Sequence, residues 1–138
     1  MRNKIKTRKK AVTCYDHLGG RLGELLFKLL IDKKWLTKDA NSRSYHITDA
    51  GWKCFEELGI DTAKLKLSSR VPVSPCVERF SGQFYEHTGA HLGALLTARL
   101  VTLGWLIPKP EKEYEITEIG RQGLTDLGLI LDHLEKPL

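Results

Sequence analysis

Leucines at positions 18, 22, 25, 26, 29 and 30 recur in steps of three and four, with polar residues between them. That period predicts an amphipathic helix starting near His17, with Asp16 as its N-cap. Trp35-Leu36 then opens a strand, residues 38–44 are polar turn material, and Tyr45-His46-Ile47 alternates as a returning strand. Thr48 stands where the next helix needs its cap, and Gly51 falls in the first turn of that helix. Cys54, Phe55 and Leu58 supply its apolar face, and Gly59 ends it.

The pattern occurs twice. HLGGRLGELLFKLLIDKKWL (17–36) meets HTGAHLGALLTARLVTLGWL (87–106) at an offset of 70, so that His17/His87, Gly19/Gly89, Leu22/Leu92, Gly23/Gly93, Leu26/Leu96 and Trp35/Trp105 coincide. At an offset of 69, YHITDAGWKCFEELG (45–59) meets YEITEIGRQGLTDLG (114–128). The chain is a tandem duplication of a unit of about 55 residues. The second copy predicts a helix from about His87, strands near 105–107 and 113–116, Thr117 as cap and a helix to about Leu127. Pro72 and Pro75 break the chain between the copies. After them, Val77, Phe80 and Phe84 have the spacing of a short amphipathic helix leading into the second copy. A unit this small cannot bury a core alone. The expected organisation is a flexible arm (1–11), a first repeat (12–60), a linker (61–75) and a second repeat (76–138). The expected class is α+β, mostly helical, with the repeats sharing one core about a pseudo-twofold axis.

Composition adds the compartment and the charge. The 138 residues are 41% hydrophobic and 28% charged, an ordinary globular balance. No apolar run approaches the roughly 18 residues of a membrane span, and residues 1–10 lack the apolar core of a signal peptide. Three widely spaced cysteines argue against a disulfide framework and for a reducing, cytoplasmic setting. The net charge is +5, but six of the 22 basic residues (Arg2, Lys4, Lys6, Arg8, Lys9 and Lys10) lie in the first ten positions, where there is no acid. The remaining 16 nearly balance 17 acidic side chains, so the basic character belongs to the arm. Such an arm is a solvated tail or a phosphate-neutralising one.

The glycine pairs Gly19/Gly23 and Gly89/Gly93 border the leucine faces. Each glycine in a helix costs about 1 kcal/mol relative to alanine, and a close approach between the two long helices is the simplest reason for them. A phosphate-cradling loop would need a strand before the glycines, and none is predicted there. Cys14, Asp16 and His17 open the first unit, and Cys76, His87 and His91 open the second. Their plain reading is helix starts and packing. Pseudo-symmetry could instead bring Cys14 and Cys76 together in a mixed sulfur and imidazole set, which would suit zinc. No cofactor is otherwise expected. No nucleophile–base pattern, GxSxG or HExxH occurs, so the chain does not read as an enzyme.

Two stretches carry a resemblance to a known family. Residues 34–51, with Lys34-Trp35-Leu36 and then Tyr45-His46-Ile47-Thr48-Asp49-Ala50-Gly51, resemble the back half of a winged-helix domain. Cys14-Tyr15-Asp16-His17-Leu18-Gly19-Gly20-Arg21-Leu22-Gly23, with Cys76 and His87-Thr88-Gly89-Ala90-His91-Leu92-Gly93, resembles the C-terminal region of a subgroup of ArsR-type transcriptional regulators. There a DNA-binding winged helix precedes a duplicated segment carrying Cys-Tyr-Asp-His-Leu-x-Gly-x-Leu-Gly and a Cys-led second copy. The resemblance spans residues 12–130. Glu78 stands where the family pattern favours Asp, and the stretch from Cys76 to Gly93 is longer than the family's. Family members carry a helix-turn-helix before the Cys-Tyr-Asp-His motif, whereas thirteen residues precede Cys14 here.

Two functional readings follow. In one the chain is a DNA-binding transcriptional regulator of the ArsR-like class. Its second long helix, or the loops 38–44 and 108–112 with Lys38, Arg43, Lys109 and Lys112, would meet DNA, aided by the basic arm. In the other it is a stand-alone effector-sensing or dimerisation module without its own DNA affinity. His87, His91, Ala94 and Ala98 lie opposite the second leucine face with no fixed charge, which points to a homodimer contact or to burial against the 76–84 segment. No membrane partner is expected, and the sequence does not name the effector.

Overall fold

The computed structural model describes residues 8–14, 16–40, 44–67 and 73–135. Arg2, Lys4, Lys6, Tyr15 and Arg43 lie outside them. The elements are β1 (Val12–Cys14), β2 (His17–Gly19), α1 (Gly20–Asp32), β3 (Leu36–Lys38), β4 (Tyr45–Ile47), α2 (Asp49–Leu58) and α3 (Thr62–Leu67). In the same order follow β5 (Pro75–Phe80), β6 (Gln83–Thr88), α4 (Ala90–Thr102), β7 (Leu106–Lys109), β8 (Glu113–Ile116), α5 (Glu118–Leu127) and α6 (Asp132–Glu135). Each half is hairpin, long helix, hairpin, helix and short helix, in a mixed α+β fold with antiparallel strand pairs.

The repetition reaches the hydrogen bonds. The N–H groups of Trp35 and Trp105 donate to the carbonyls of Leu30 and Leu100, each at 3.0 Å, and thereby close the two long helices. The same tryptophans accept from the N–H of Thr48 and Thr117, each at 3.0 Å. The two threonine hydroxyls cap α2 and α5, accepting from Gly51 and Gly120 N–H at 3.0 and 2.9 Å. Both helices end on a left-handed glycine, Gly59 (φ 96°) and Gly128 (φ 109°).

The core pairs off in the same way. Leu22, Leu26 and Leu30 of α1 are buried, as are their counterparts Leu92, Leu96 and Leu100 of α4. Phe55 and Leu124, Ile60 and Leu129, and Leu65 and Leu134 continue the match. At about 1.5–3 kcal/mol for each fully buried large aliphatic, these pairs form one continuous apolar cluster rather than two.

Several expectations change. The first long helix begins at Gly20, not His17, with Gly19 and not Asp16 at its cap; the second begins at Ala90 behind Gly89. Residues 76–84 form no helix. They belong to the hairpin β5–β6, in which Val77 and Phe84 are exposed. Strands therefore do precede the glycine pairs. The N–H of Gly20 at the start of α1 meets the carboxylate of Glu78 at 2.8 Å, so that helix start already holds an anion.

The halves are interlocked. α1 lies across β6 of the second half, and α4 lies across β2 of the first. The Thr97 hydroxyl on α4 accepts from Leu18 N–H at 2.7 Å and donates to the Gly93 carbonyl at 2.8 Å, fixing α4 to β2. Gly23 and Gly93 do allow a close approach, but to strands and to the opposite histidine rather than between helices. Residues 8–11 are also part of the body. The carbonyls of Lys9 and Lys10 accept from Arg21 and Leu22 N–H, Ala11 is buried, and its carbonyl accepts from Tyr114 N–H.

Candidate metal centre

Each hairpin pairs a cysteine with a histidine. Cys14 of β1 stands directly opposite His17 of β2. Cys76 of β5 stands directly opposite His87 of β6, in a much longer hairpin. Because each long helix packs on the other half's hairpin, the two pairs meet where the halves join. The Sγ atoms of Cys14 and Cys76 are 3.7 Å apart, and the rings of His17 and His87 are 5.0 Å apart between centroids. One ligand atom from each of the four residues lies within 4.8 Å of all the others.

The surroundings are largely buried and closely packed. Both histidines are buried, His87 completely, and both cysteines are half-buried free thiols. Room for them comes from the glycine pairs. A methyl on Gly19 would lie 3.3 Å from Cys14 Cβ, and one on Gly89 would lie 3.1 Å from Cys76 Cβ. Burial pushes the Cys14 thiol up to about 11, helped by its hydrogen bond to Cys76 and the nearby charges of Cys76 and Glu78.

A second ring of charge encloses the four side chains. Asp16 Oδ1 is 3.2 Å from His17 Nδ1, and Glu78 Oε1 is 3.4 Å from His87 Nδ1. The second approach is an ion-pair distance, and neither Nδ1 nor Nε2 of His87 has a hydrogen-bond partner among the described residues. Glu78 also accepts from Arg8 at 3.1 Å. The His87 ring holds its carboxyl below the usual range against burial, with help from Gly20 N–H and Arg8. Arg8 packs on the Tyr85 ring at 3.7 Å and also pairs with Glu24, which takes further hydrogen bonds or ion pairs from Arg21 and Lys28.

Of the residues marked from sequence, Cys14, His17, Cys76 and His87 converge, with Asp16 behind His17. His91 is half-buried on α4, outside the cluster. His87 leaves the predicted outer helix face altogether, being a strand residue without exposure. Arg8 is buried in ion pairs, which removes it from the solvent-facing cations. Lys9 faces Glu113 at 3.5 Å and Lys109 faces Glu115 at 3.2 Å, while Lys38 and Lys112 are exposed at the ends of the β3–β4 and β7–β8 hairpins. Neither Glu24 nor Glu78 was marked as a site residue from sequence, Glu78 being noted only for standing where the family pattern favours Asp. Glu24 lies three residues after Arg21 and four before Lys28, a spacing that reads as a solvated charged face, yet it is buried.

The chain is similar to a protein of Bacillus subtilis (strain 168) described as an uncharacterized HTH-type transcriptional regulator, YdfF. The two are 29% identical over 113 residues, which cover 80% of this chain and 48% of that protein. The chain thus spans about half the length of this relative. No protein-family model and no solved structure matches the chain. Among the described residues no helix is long and apolar enough to cross a membrane.

Proposed function

We propose that the chain is a DNA-binding transcriptional regulator of the ArsR-like class, built from two winged-helix-like units whose junction is an effector site. The observation that carries this reading is the convergence of two Cys–His hairpins at the join of the halves, in a chain similar to a helix-turn-helix regulator. An effector held by side chains from both halves would alter how the halves sit on one another. That is the kind of differential contact a switch requires.

DNA contact in this reading falls to the hairpin ends, where Lys38 and Lys112 are exposed, together with Arg2, Lys4 and Lys6 of the N-terminal segment. Such lysines supply salt-dependent phosphate contacts. In the alternative reading the chain is a stand-alone effector-sensing or dimerisation module without its own DNA affinity.

Fluorescence anisotropy of the full chain on labelled genomic fragments, at two salt concentrations, separates the readings. Fragment-dependent binding supports a DNA-contacting regulator, and no binding supports the sensing module. Equal binding to every fragment that disappears in an Arg2→Gln, Lys4→Gln, Lys6→Gln variant overturns specific DNA recognition.

A further inference from the structure

The geometry points to a closed, four-coordinate site for one zinc-class divalent cation, with Cys14, His17, Cys76 and His87 as its ligands. The inference deepens the effector-site reading above and rests on it for any regulatory meaning; the metal chemistry itself rests on the side chains.

Four observations converge. The donor set is two sulfurs and two imidazoles, the composition of structural zinc sites and a poor one for calcium or magnesium. A tetrahedron with metal–sulfur bonds of about 2.3 Å has an S···S edge of about 3.7–3.8 Å, and the Cys14 and Cys76 sulfurs are 3.7 Å apart. All four ligand atoms lie within 4.8 Å of one another, roughly 1 Å beyond the longest edge of such a tetrahedron. His87 is wholly buried, yet its Nε2 meets no hydrogen-bond partner among the described residues, an arrangement that a bound cation would satisfy.

The outer carboxylates complete the pattern. Ligating histidines hold their orientation through the second ring nitrogen, commonly against a carboxylate. Asp16 stands beside His17 and Glu78 beside His87, one from each half, at 3.2 and 3.4 Å from the Nδ1 atoms. A metal here would join β1–β2 to β5–β6, so that ligands 62 residues apart hold the halves together as one body.

Zinc binding releases thiol protons and leaves the sulfurs as thiolates. A competing fate of the same pair is oxidation by a peroxide to a Cys14–Cys76 bridge. The two thiols lose two electrons and two protons as the S–S bond forms, and the peroxide O–O bond breaks and takes them up as water and an alcohol or second water. Closing 3.7 Å to the roughly 2.05 Å of a disulfide is a short movement.

The test is a cobalt(II) titration of the reduced full chain, followed by zinc displacement and by metal analysis of protein purified without chelator. The expected result is one cobalt per chain with the intense visible bands of a tetrahedral site and a thiolate charge-transfer band, both removed by one equivalent of zinc. Cys14→Ser and Cys76→Ser should weaken cobalt binding at least tenfold and His87→Gln at least several-fold, while Cys54→Ser should bind as the parent does. Octahedral spectra, no cobalt uptake by the folded reduced chain, or unchanged binding in Cys76→Ser overturns the metal site. Because the parent chain alone can refute it, a variant that fails to fold does not rescue the proposal. Repeating the anisotropy titration with and without zinc separates the two claims. Tetrahedral binding without any effect on DNA affinity keeps the metal site and removes the sensing role. DNA affinity that responds to peroxide but not to zinc, with no cobalt site, removes the metal and keeps a redox-responsive junction.

Discussion

Gly23 of α1 and His87 of β6 lie so close that a methyl group on the glycine would stand 3.2 Å from the histidine Cβ. Gly93 holds the reciprocal position, 3.1 Å from His17 Cβ by the same construction. Each long helix gives up a side chain where the opposite half inserts its histidine, and the helical cost of glycine, about 1 kcal/mol, is accepted for that fit.

Gly23→Ala therefore sets two effects of opposite sign against each other. Alanine restores about 1 kcal/mol of helix propensity, but its Cβ would meet the Leu18 carbonyl oxygen at 2.5 Å as well as His87. Backbone atoms in a packed strand cannot yield cheaply, so overpacking prevails. A net loss of about 1–3 kcal/mol is expected, and likewise for Gly93→Ala. Denaturant midpoints at constant m-value check it, and a gain in stability for either variant would contradict the packing.

The equivalent first residues of α1 and α4 are Gly20 and Ala90, both left-handed, with φ of 76° and 55°. An L-residue in this region is disfavoured by roughly 1–2 kcal/mol, so Ala90→Gly should stabilise the protein by about 1 kcal/mol. Gly20→Ala should destabilise it, because the new Cβ would also lie 2.8 Å from the Lys9 carbonyl oxygen. Thermal melts of the two single variants should shift in opposite directions.

Glu24 supplies a pH dependence. Burial pushes its carboxyl up, but hydrogen bonds from Arg8 and Lys28 outweigh burial and hold it below its ordinary value. A carboxyl lowered in the folded state contributes stability that is fully present above its unfolded value, about 4.3, and is lost as pH falls through the folded value. Stability should thus decline on the acid side of about pH 4.5. Glu24→Gln should remove that share of the decline and lower stability at pH 7 by about 1.5–3 kcal/mol, the worth of a charged hydrogen bond. Urea melts from pH 3 to pH 7 would show it; an unchanged acid limb would not fit.

If the hairpin ends touch DNA, Lys38→Gln and Lys112→Gln should each weaken binding to all fragments alike. Each should reduce the magnitude of the log K against log salt slope by roughly 0.9. A change in fragment preference instead would place these lysines at base edges.

Much of the architecture was legible because its causes are local. The threonine caps and the closing glycines depend on neighbours within one helical turn and fall where the pattern put them, and the leucine faces do so from Leu22 and Leu92 onward. The hairpins before α1 and α4 were not legible. Leu18 and Leu22 stand four apart and read as one helix, yet β1 supplies Leu18 with a partner strand, and pairing overrides a period only one turn long. Arg8 read as part of a solvated arm because nothing nearby in sequence neutralises it; Glu24 and Glu78 do so from 16 and 70 residues away. The four candidate ligands could be marked by type but not as a set. Cys14 and His17 are separated by two residues, Cys76 and His87 by ten, and no common spacing links them. Antiparallel register makes the pairs equivalent, since in each hairpin the cysteine faces the histidine across the strands whatever the length of the loop. The exchange of hairpins between the halves then brings the two pairs together, and packing over more than sixty residues of chain is what decides it.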